Sequence, residues 1–130
     1  MLPLMGPAWA MNRWLLVGAV NGFLAVAAGA FAAHGLESLV APRALEIFQT
    51  GAHYHLTHAL AIVAASLVTR PEGLARANLA AWLFTIGIVL FSGSLYFMVL
   101  TGSNALVLAT PLGGLSLLAG WAVLAMSALK

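Results

Sequence analysis

Long apolar stretches interrupted by only a few charges dominate this chain. Residues 14–36 and 47–69 each run for 23 residues without Lys, Arg, Asp or Glu, and residues 77–129 run for 53. A helix needs about 20 residues to cross the roughly 30 Å hydrocarbon core of a bilayer, so the third stretch is long enough for two crossings. Thr101-Gly102-Ser103-Asn104 has the composition of a turn and divides it. The pattern predicts four membrane-spanning helices, which cover about residues 14–34, 52–69, 76–100 and 106–128.

The overall composition agrees with insertion into a membrane. Hydrophobic residues make up 63% of the 130 residues, charged residues only 6%, and the mean hydropathy is +1.05. A typical globular chain is about 25% charged. A soluble domain of this size could not bury so much apolar surface away from water. Nucleic-acid surfaces need charge that is absent here, and the lack of cysteine excludes disulfides and thiolate chemistry. We expect one all-α membrane domain, an antiparallel four-helix bundle surrounded by lipid.

The positions of the basic residues predict the orientation in the membrane. Four of the five cations lie near the two ends of the chain and in the second loop: Arg13, Arg70, Arg76 and Lys130. Only Arg43 lies in the first loop, and the third loop carries no charge. Since Lys and Arg are enriched in cytoplasmic loops, we expect both termini in the cytoplasm and the first and third loops at the outer surface.

The first loop, residues 35–51, is the only sizeable one. Pro42 suits the first turn of a helix, and Arg43 and Glu46 share a helix face at i,i+3 spacing. Leu45 and Phe48 add an apolar side. These features predict a short interfacial helix between spans one and two; an extension of span two is the alternative.

Small residues recur at intervals of three or four in the first and fourth spans. The glycines of these two seams are Gly18, Gly22, Gly29, Gly113 and Gly120. Small residues permit the close approach through which membrane helices associate. The two seams could pack together within one bundle, or either could join two copies of the protein.

Polar side chains gather in the outer half of the predicted bundle. His34 ends the first span, His55 and His58 lie near the start of the second, and Tyr96 lies near the outer end of the third. His55 and His58 project about 60° apart around a regular helix. Asn21, in the first span, is expected to hydrogen-bond a neighbouring helix.

Three hypotheses fit this polar cluster. The side chains could simply satisfy one another and the loop backbone. Alternatively, His34, His55 and His58, with Tyr96 nearby, could bind a metal or a haem, because histidine is the commonest metal ligand. A proton relay or a transport path is the third hypothesis, but all three glutamates fall outside the spans, so no buried carboxylate is available to couple protons.

Four segments resemble the domain-of-unknown-function 423 family, which is related to transmembrane protein 256. They are Gly29-Ala30-Phe31-Ala32-Ala33-His34-Gly35-Leu36, Tyr54-His55-Leu56-Thr57-His58-Ala59-Leu60-Ala61, Phe91-Ser92-Gly93-Ser94-Leu95-Tyr96, and Thr110-Pro111-Leu112-Gly113-Gly114 with Gly120-Trp121. The resemblance covers about residues 13–128. It implies a small bacterial inner-membrane protein with several spans, and it supplies no activity and no cofactor.

Taken together, these features predict a multi-pass membrane protein that acts in assembly rather than as an enzyme. Its small-residue seams would mediate self-association or docking onto another membrane protein. A metal or haem site built from the histidines is the first alternative, and a small transporter or proton-relay protein is the second.

Overall fold

The computed structural model describes residues 11–129, and this part of the chain folds into four long α-helices without a strand. The helices are α1 (Arg13–His34), α2 (Pro42–Ser66), α3 (Leu74–Thr101) and α4 (Ala109–Met126). Single 3₁₀ turns lie in the first two connections, at Leu36–Ser38 and Pro71–Gly73. The predicted all-α fold is confirmed over this range. Lys130 and the ten residues before Met11 lie outside the described residues.

Three of these helical segments are long and apolar enough to cross a membrane. They are Arg13–Ser38, Pro71–Thr101 and Ala109–Met126. Helix α2 is not among them: even residues 49–66, which carry no charged side chain, contain three histidines and are less apolar than the other helices. Hydropathy and length therefore identify three candidate spans among the described residues, whereas the charge-free stretches predicted four.

The ends of the helices follow local capping rules. The side chain of Asn12 accepts a hydrogen bond from the backbone N–H of Leu15 at 3.1 Å, which caps α1. Helix α3 ends at Thr101, and its C-cap residue is Gly102, whose φ of +70° lies in the left-handed region. Glycine reaches that region without a Cβ clash, and the Gly102 N–H caps the Met98 carbonyl. The predicted turn after residue 100 thus has its physical cause in Gly102.

The predicted interfacial helix between the first two spans is not a separate element. Pro42 does begin a helix, and Arg43 pairs with Glu46 at 3.1 Å as the spacing suggested. That helix is α2 itself, which runs without a break to Ser66. The second predicted span, 52–69, is corrected accordingly: α2 starts ten residues earlier, because its backbone hydrogen bonds continue through its first, more polar turns.

The helices pack in chain order. The main contacts join α1 to α2, α2 to α3 and α3 to α4, and the pair α1 with α4 is not among them. The α1–α2 contacts run in reverse register, because Gly18 lies against Val63 whereas Phe31 meets Phe48. Phe84 of α3 and Ile62 of α2 are fully buried at the centre. Helices α2 and α3 are thus the inner pair, and α1 and α4 are the outer helices.

Arginines tie the α2–α3 connection to the end of α4. Arg70 donates to the Ala128 carbonyl at 2.9 Å, and Arg76 donates to the Met126 carbonyl at 2.7 Å. The Met126 carbonyl also accepts the Leu129 backbone N–H at 3.1 Å. Both carbonyls lie at the negative end of the α4 dipole, where cations are stabilising. Arg13 begins α1 at the same end of the bundle, where Asn12 reaches the Ser66 carbonyl. We call this end, with its three arginines, the arginine end.

Candidate functional site

His55 lies at the centre of the predicted polar cluster and connects three helices. It belongs to α2, and its imidazole is buried. One ring nitrogen, Nδ1, lies 3.0 Å from the Tyr96 hydroxyl of α3, and the other, Nε2, lies 2.9 Å from Oδ1 of Asn21 in α1. The structure therefore brings two of the predicted site residues, His55 and Tyr96, into direct contact. It also gives Asn21 the interhelical hydrogen bond that its position suggested.

The contacts of Asn21 determine which atoms donate and which accept in the hydrogen bonds from Asn21 through His55 to Tyr96. The Asn21 amide nitrogen donates to the Val17 carbonyl at 2.9 Å, so the oxygen Oδ1 faces His55 as an acceptor. His55 must then carry its proton on Nε2, which leaves the Nδ1 lone pair to accept the Tyr96 O–H. The arrangement is a neutral imidazole that donates toward α1 and accepts from α3.

His58 makes a second set of contacts in a different direction. Its Nδ1–H donates to the Tyr54 carbonyl one turn earlier, at 2.6 Å. Its Nε2 accepts the indole N–H of Trp121 in α4 at 3.0 Å. The indole can only donate, so the proton of this imidazole is on Nδ1. Although His55 and His58 are only one turn apart, the first holds α1 and α3, and the second holds α4.

The structure does not bring His34 to the other histidines as a metal-binding group. His34 is exposed at the end of α1. Among residues 11–129 no three His, Asp or Glu side chains are placed to hold a metal ion. Both nitrogens of His55 and of His58 already have hydrogen-bond partners, so a metal would have to displace Tyr96 or Trp121. The metal or haem hypothesis for His34, His55, His58 and Tyr96 stays a hypothesis without a preformed ligand set.

Serine hydroxyls complete the polar contacts between helices. Ser92 donates to the Gly51 carbonyl at 2.7 Å, and Ser116 donates to the Leu83 carbonyl at 2.7 Å. Ser94 shares a 2.6 Å hydrogen bond with Thr110. Within the described chain no buried side-chain nitrogen or oxygen lacks a partner. The chemistry of this region is that of a hydrogen-bond network that joins four helices and in which every described buried side-chain polar atom has a partner.

Trp121 is the member of this network that sequence reasoning assigned no role. It contacts His58 through its N–H and packs edge-on against Phe84, with ring centroids 5.1 Å apart. In the sequence, only the Gly120-Trp121 pair, which is part of the fourth segment that resembles the family, pointed to this residue. Helical angles relate residues within one helix only, so they could not show that Trp121 of α4 meets His58 of α2.

The five seam glycines fall into two groups. Gly18, Gly113 and Gly120 lie against other helices, where a Cβ would come within 3 Å of Val63, Leu90 and Phe84 respectively. At Gly22 and Gly29 the position of a Cβ has no heavy atom of the chain within 4 Å, other than their own neighbours along α1. Three glycines therefore serve contacts inside the described bundle, and two do not.

Comparison with known proteins finds close relatives that are described as membrane proteins. The chain is 41% identical over 121 residues to the UPF0382 membrane protein YwdK of Bacillus subtilis, covering 92% of this chain and 98% of that protein. It is 43% identical over 120 residues to a UPF0382 membrane protein of Haemophilus influenzae, covering 92% and 95%. Identity to the UPF0382 inner membrane protein YgdD of Escherichia coli is 34% over 126 residues, covering 92% of each. No solved structure matches.

The family comparison agrees with the resemblance carried by the four motifs. Residues 28–114 match the family described as "Protein of unknown function (DUF423)". That range contains the three histidines of the predicted site, Tyr96 and Gly113. The alignments with the relatives cover nearly the whole chain. The chain belongs to the DUF423 family of bacterial membrane proteins.

Proposed function

We propose that this protein is a four-span protein of the bacterial inner membrane that acts as a small assembly component, and that the glycine face of α1 at Gly22 and Gly29 is its docking surface. It forms a single membrane domain whose partner is a helix of a second copy or of another membrane protein. The observation that carries the proposal is the open space beside Gly22 and Gly29, on the same helix as Gly18, which packs closely against α2.

Two features support α2 as the fourth span. It has 25 residues, which at about 1.5 Å per residue reach roughly 37 Å. It also lies between α1 and α3, which are both apolar enough to span. Two of the polar groups that lower its hydropathy, His55 and His58, are satisfied inside the bundle, where each uses both ring nitrogens. A buried and paired histidine costs much less in a membrane than one exposed to lipid.

The distribution of charge supports an orientation with both termini in the cytoplasm. Arg13, Arg70 and Arg76 lie at the arginine end of the bundle, whereas Arg43 lies at the other end and is paired with Glu46. The positive-inside rule assigns the more basic end to the cytoplasm. The polar network around His55 then lies toward the outer leaflet, and the Gly22–Gly29 face runs through the middle of the membrane.

The chemistry of the free α1 face supports a helical partner. Lipid tails are as apolar as leucine, so small residues gain nothing from lipid contact, but they allow the backbone of another helix to approach closely. Gly22 and Gly29 lie seven residues apart, and so they fall on one stripe. Gly18, on the neighbouring stripe, already shows such close approach to α2 at Val63.

A pair of glycine variants tests the proposal. The double change Gly22→Leu with Gly29→Leu should abolish association while the monomer stays folded, because neither Cβ meets an atom of the chain. Gly114→Leu is the matched control: this glycine of α4 also has room, with Phe91 no nearer than 3.8 Å. The readouts are cross-linking in native membranes and molar mass in mild detergent.

Each outcome of this experiment decides the proposal. Wild type and the Gly114 variant that associate, beside a double variant that does not, support docking through α1. Recovery of one defined membrane partner, lost only in the double variant, supports a heteromeric assembly. A monomeric wild type that recovers no partner, or a double variant that associates normally, overturns it. Elemental analysis and a visible spectrum of the same wild-type preparation test the histidine metal or haem hypothesis.

A further inference from the structure

A cleft lies between α1 and α3 near the arginine end, away from the histidine network. It encloses about 410 Å³ and is lined by Arg13, Trp14, Val17, Asn78, Trp82 and Thr85. None of these side chains takes part in the His55 or His58 contacts. Since α1 packs mainly on α2, its contact with α3 here rests on few residues, and the cleft between the two helices is partly open.

The mouth of the cleft offers hydrogen-bond donors and one positive charge. The Trp14 indole N–H donates to Oδ1 of Asn78 at 2.7 Å, so the Asn78 amide N–H₂ faces away from that bond. Within residues 11–129 the ion pairs are Arg43–Glu46 and Arg70–Glu72, and Arg13 is in neither. The ten preceding residues contain no carboxylate side chain. No Asp or Glu side chain of the described residues pairs with Arg13, so its guanidinium can meet a ligand with anionic acceptor oxygens.

The walls of the cleft are aromatic and apolar. Trp14 and Trp82 meet edge-to-face, with ring centroids 5.1 Å apart. Trp82 is 53% exposed, although it is a large hydrophobic residue in a long apolar helix. From Asn78 to Thr85 the cleft follows α3 for about 10 Å at 1.5 Å per residue. Tryptophans with a cation at a helix end are typical of the level of lipid headgroups.

We propose that this cleft binds an anionic phospholipid of the leaflet at the arginine end. The phosphate accepts hydrogen bonds from the Arg13 guanidinium and the Asn78 amide, and one acyl chain lies along Trp82 and Val17 toward Thr85. Charge complementarity selects the anionic lipid, because the mouth presents donors and a cation without a carboxylate. The other arginines at this end donate elsewhere: Arg76 to the last carbonyl of α4, and Arg70 to the Ala128 carbonyl and to Glu72.

Quenching by brominated lipids tests this proposal on the full-length protein. In a Trp9→Phe/Trp121→Phe background the remaining tryptophans are Trp14 and Trp82, both in the cleft. The protein is reconstituted into phosphatidylcholine vesicles with a minor fraction of either brominated phosphatidylglycerol or brominated phosphatidylcholine. One basic residue near an anionic surface contributes enough to change relative affinity about fivefold, and we expect a phosphatidylglycerol preference of that size.

Two variants separate a specific site from general attraction to the surface. Arg13→Gln should remove the preference, whereas Arg76→Gln, which lowers the charge equally at the same end but outside the cleft, should keep it. Thr85→Phe should weaken quenching by filling the apolar part without changing the charge. Circular dichroism checks that each variant is folded. Equal quenching by both lipids in the wild-type cleft, or equal losses in the two arginine variants, overturns the proposal.

Discussion

The two outer helices, α1 and α4, carry small residues at the same three-and-four spacing but use them differently. In α4, Gly113 and Gly120 are buried, and their Cβ positions fall within 3 Å of α3 atoms. In α1, only Gly18 makes such a contact, whereas Gly22 and Gly29 face open space. The same sequence pattern therefore closes one interface inside the chain and leaves another free.

The two helices also differ in how they are held. Helix α4 is attached along its whole length, through Ser116 and Trp121 in its interior and through the arginines that cap its last carbonyls. Helix α1 depends on the hydrogen bond from His55 to Asn21, on Trp14 bonded to Asn78 and on Asn12 at its start. The seam of α4 is part of the fold, and the seam of α1 is only partly so.

The largest expected effect comes from filling the closed seam. Gly113→Leu places a Cβ against the backbone nitrogen of Phe91 and 2.8 Å from the carbonyl carbon of Leu90. Backbone atoms cannot swing away, so we expect α4 to separate from α3 at a cost above about 3 kcal/mol. Denaturation with sodium dodecyl sulfate in mixed micelles, followed by circular dichroism, measures the loss. The neighbouring variant Gly114→Leu should unfold like wild type, and a similar loss in both would contradict the assignment.

A smaller effect should follow from removing the polar attachment of α1. His55→Ala leaves the Tyr96 hydroxyl and the Asn21 amide without their shared partner. Interhelical hydrogen bonds in membranes average about 0.6 kcal/mol each and reach about 1.7, so the expected loss is about 1–2 kcal/mol. The control is His53→Ala, because His53 is exposed on the same helix.

The same variant should loosen α1 rather than α4. The wild-type chain has no cysteine, so a single Ala25→Cys change reports on the α1–α2 interface, where Ala25 is buried at 2% exposure. Maleimide labelling of this cysteine should accelerate when His55→Ala is added. Labelling that is unchanged would mean that His55 does not hold α1 in place.

The attachment of α4 through His58 should be weaker in effect. Trp121→Phe removes the indole N–H that His58 accepts but keeps an aromatic ring near Phe84. One interhelical hydrogen bond is lost, so we expect about 0.6 kcal/mol in the same unfolding assay. The other attachments of α4 hold it in place. A loss as large as that of Gly113→Leu would show that the Trp121 indole and its bond to His58, rather than the seam, hold this helix.

The smallest effect is expected at the open seam. Gly22→Ala and Gly29→Ala each add a methyl group that meets nothing, and alanine is the better helix former by about 0.5–1 kcal/mol in water. The folded monomer should therefore keep or slightly gain stability. Unfolding of each single variant, compared with Gly18→Ala, measures this difference. Gly18→Ala should lose stability, since its Cβ would lie 2.7 Å from Val63.

Hydropathy predicted the ends of α1 and α3 closely, whereas α4 (Ala109–Met126) is three residues shorter at its start and two at its end than the predicted span 106–128. Predicted spans 14–34 and 76–100 differ from α1 and α3 by no more than two residues at either end. The start of α2 was placed at 52 instead of Pro42 because hydropathy reports where a chain leaves the hydrocarbon, whereas the helix continues as long as its backbone bonds are satisfied. Arg43 and Glu46 are too polar for the core of a bilayer but stable on an exposed helical turn.

The sequence predicted most of the residues of the polar cluster but not their hydrogen-bond partners. The spacing of His55 and His58 suggested one shared face, and that suggestion grouped them with His34 as ligands. The structure turns His55 toward Asn21 and Tyr96, and His58 toward Trp121. A separation of 60° is enough for two neighbouring side chains to meet different helices when the helix that carries them is surrounded by others.

The sequence by itself determined the membrane class, the all-helical fold, the family and the limits of α1 and α3, because hydropathy, caps and motifs are read within one segment. The tertiary structure decided which glycines lie against another helix, which histidine ring nitrogens donate a hydrogen bond and which helices are neighbours. Those properties depend on atoms that are distant in the chain: Gly113 is closed by Phe91 of α3, whereas Gly29 meets no other helix of the chain. Glycines at the same spacing along the sequence therefore lie against another helix in α4 but beside open space at Gly22 and Gly29 in α1.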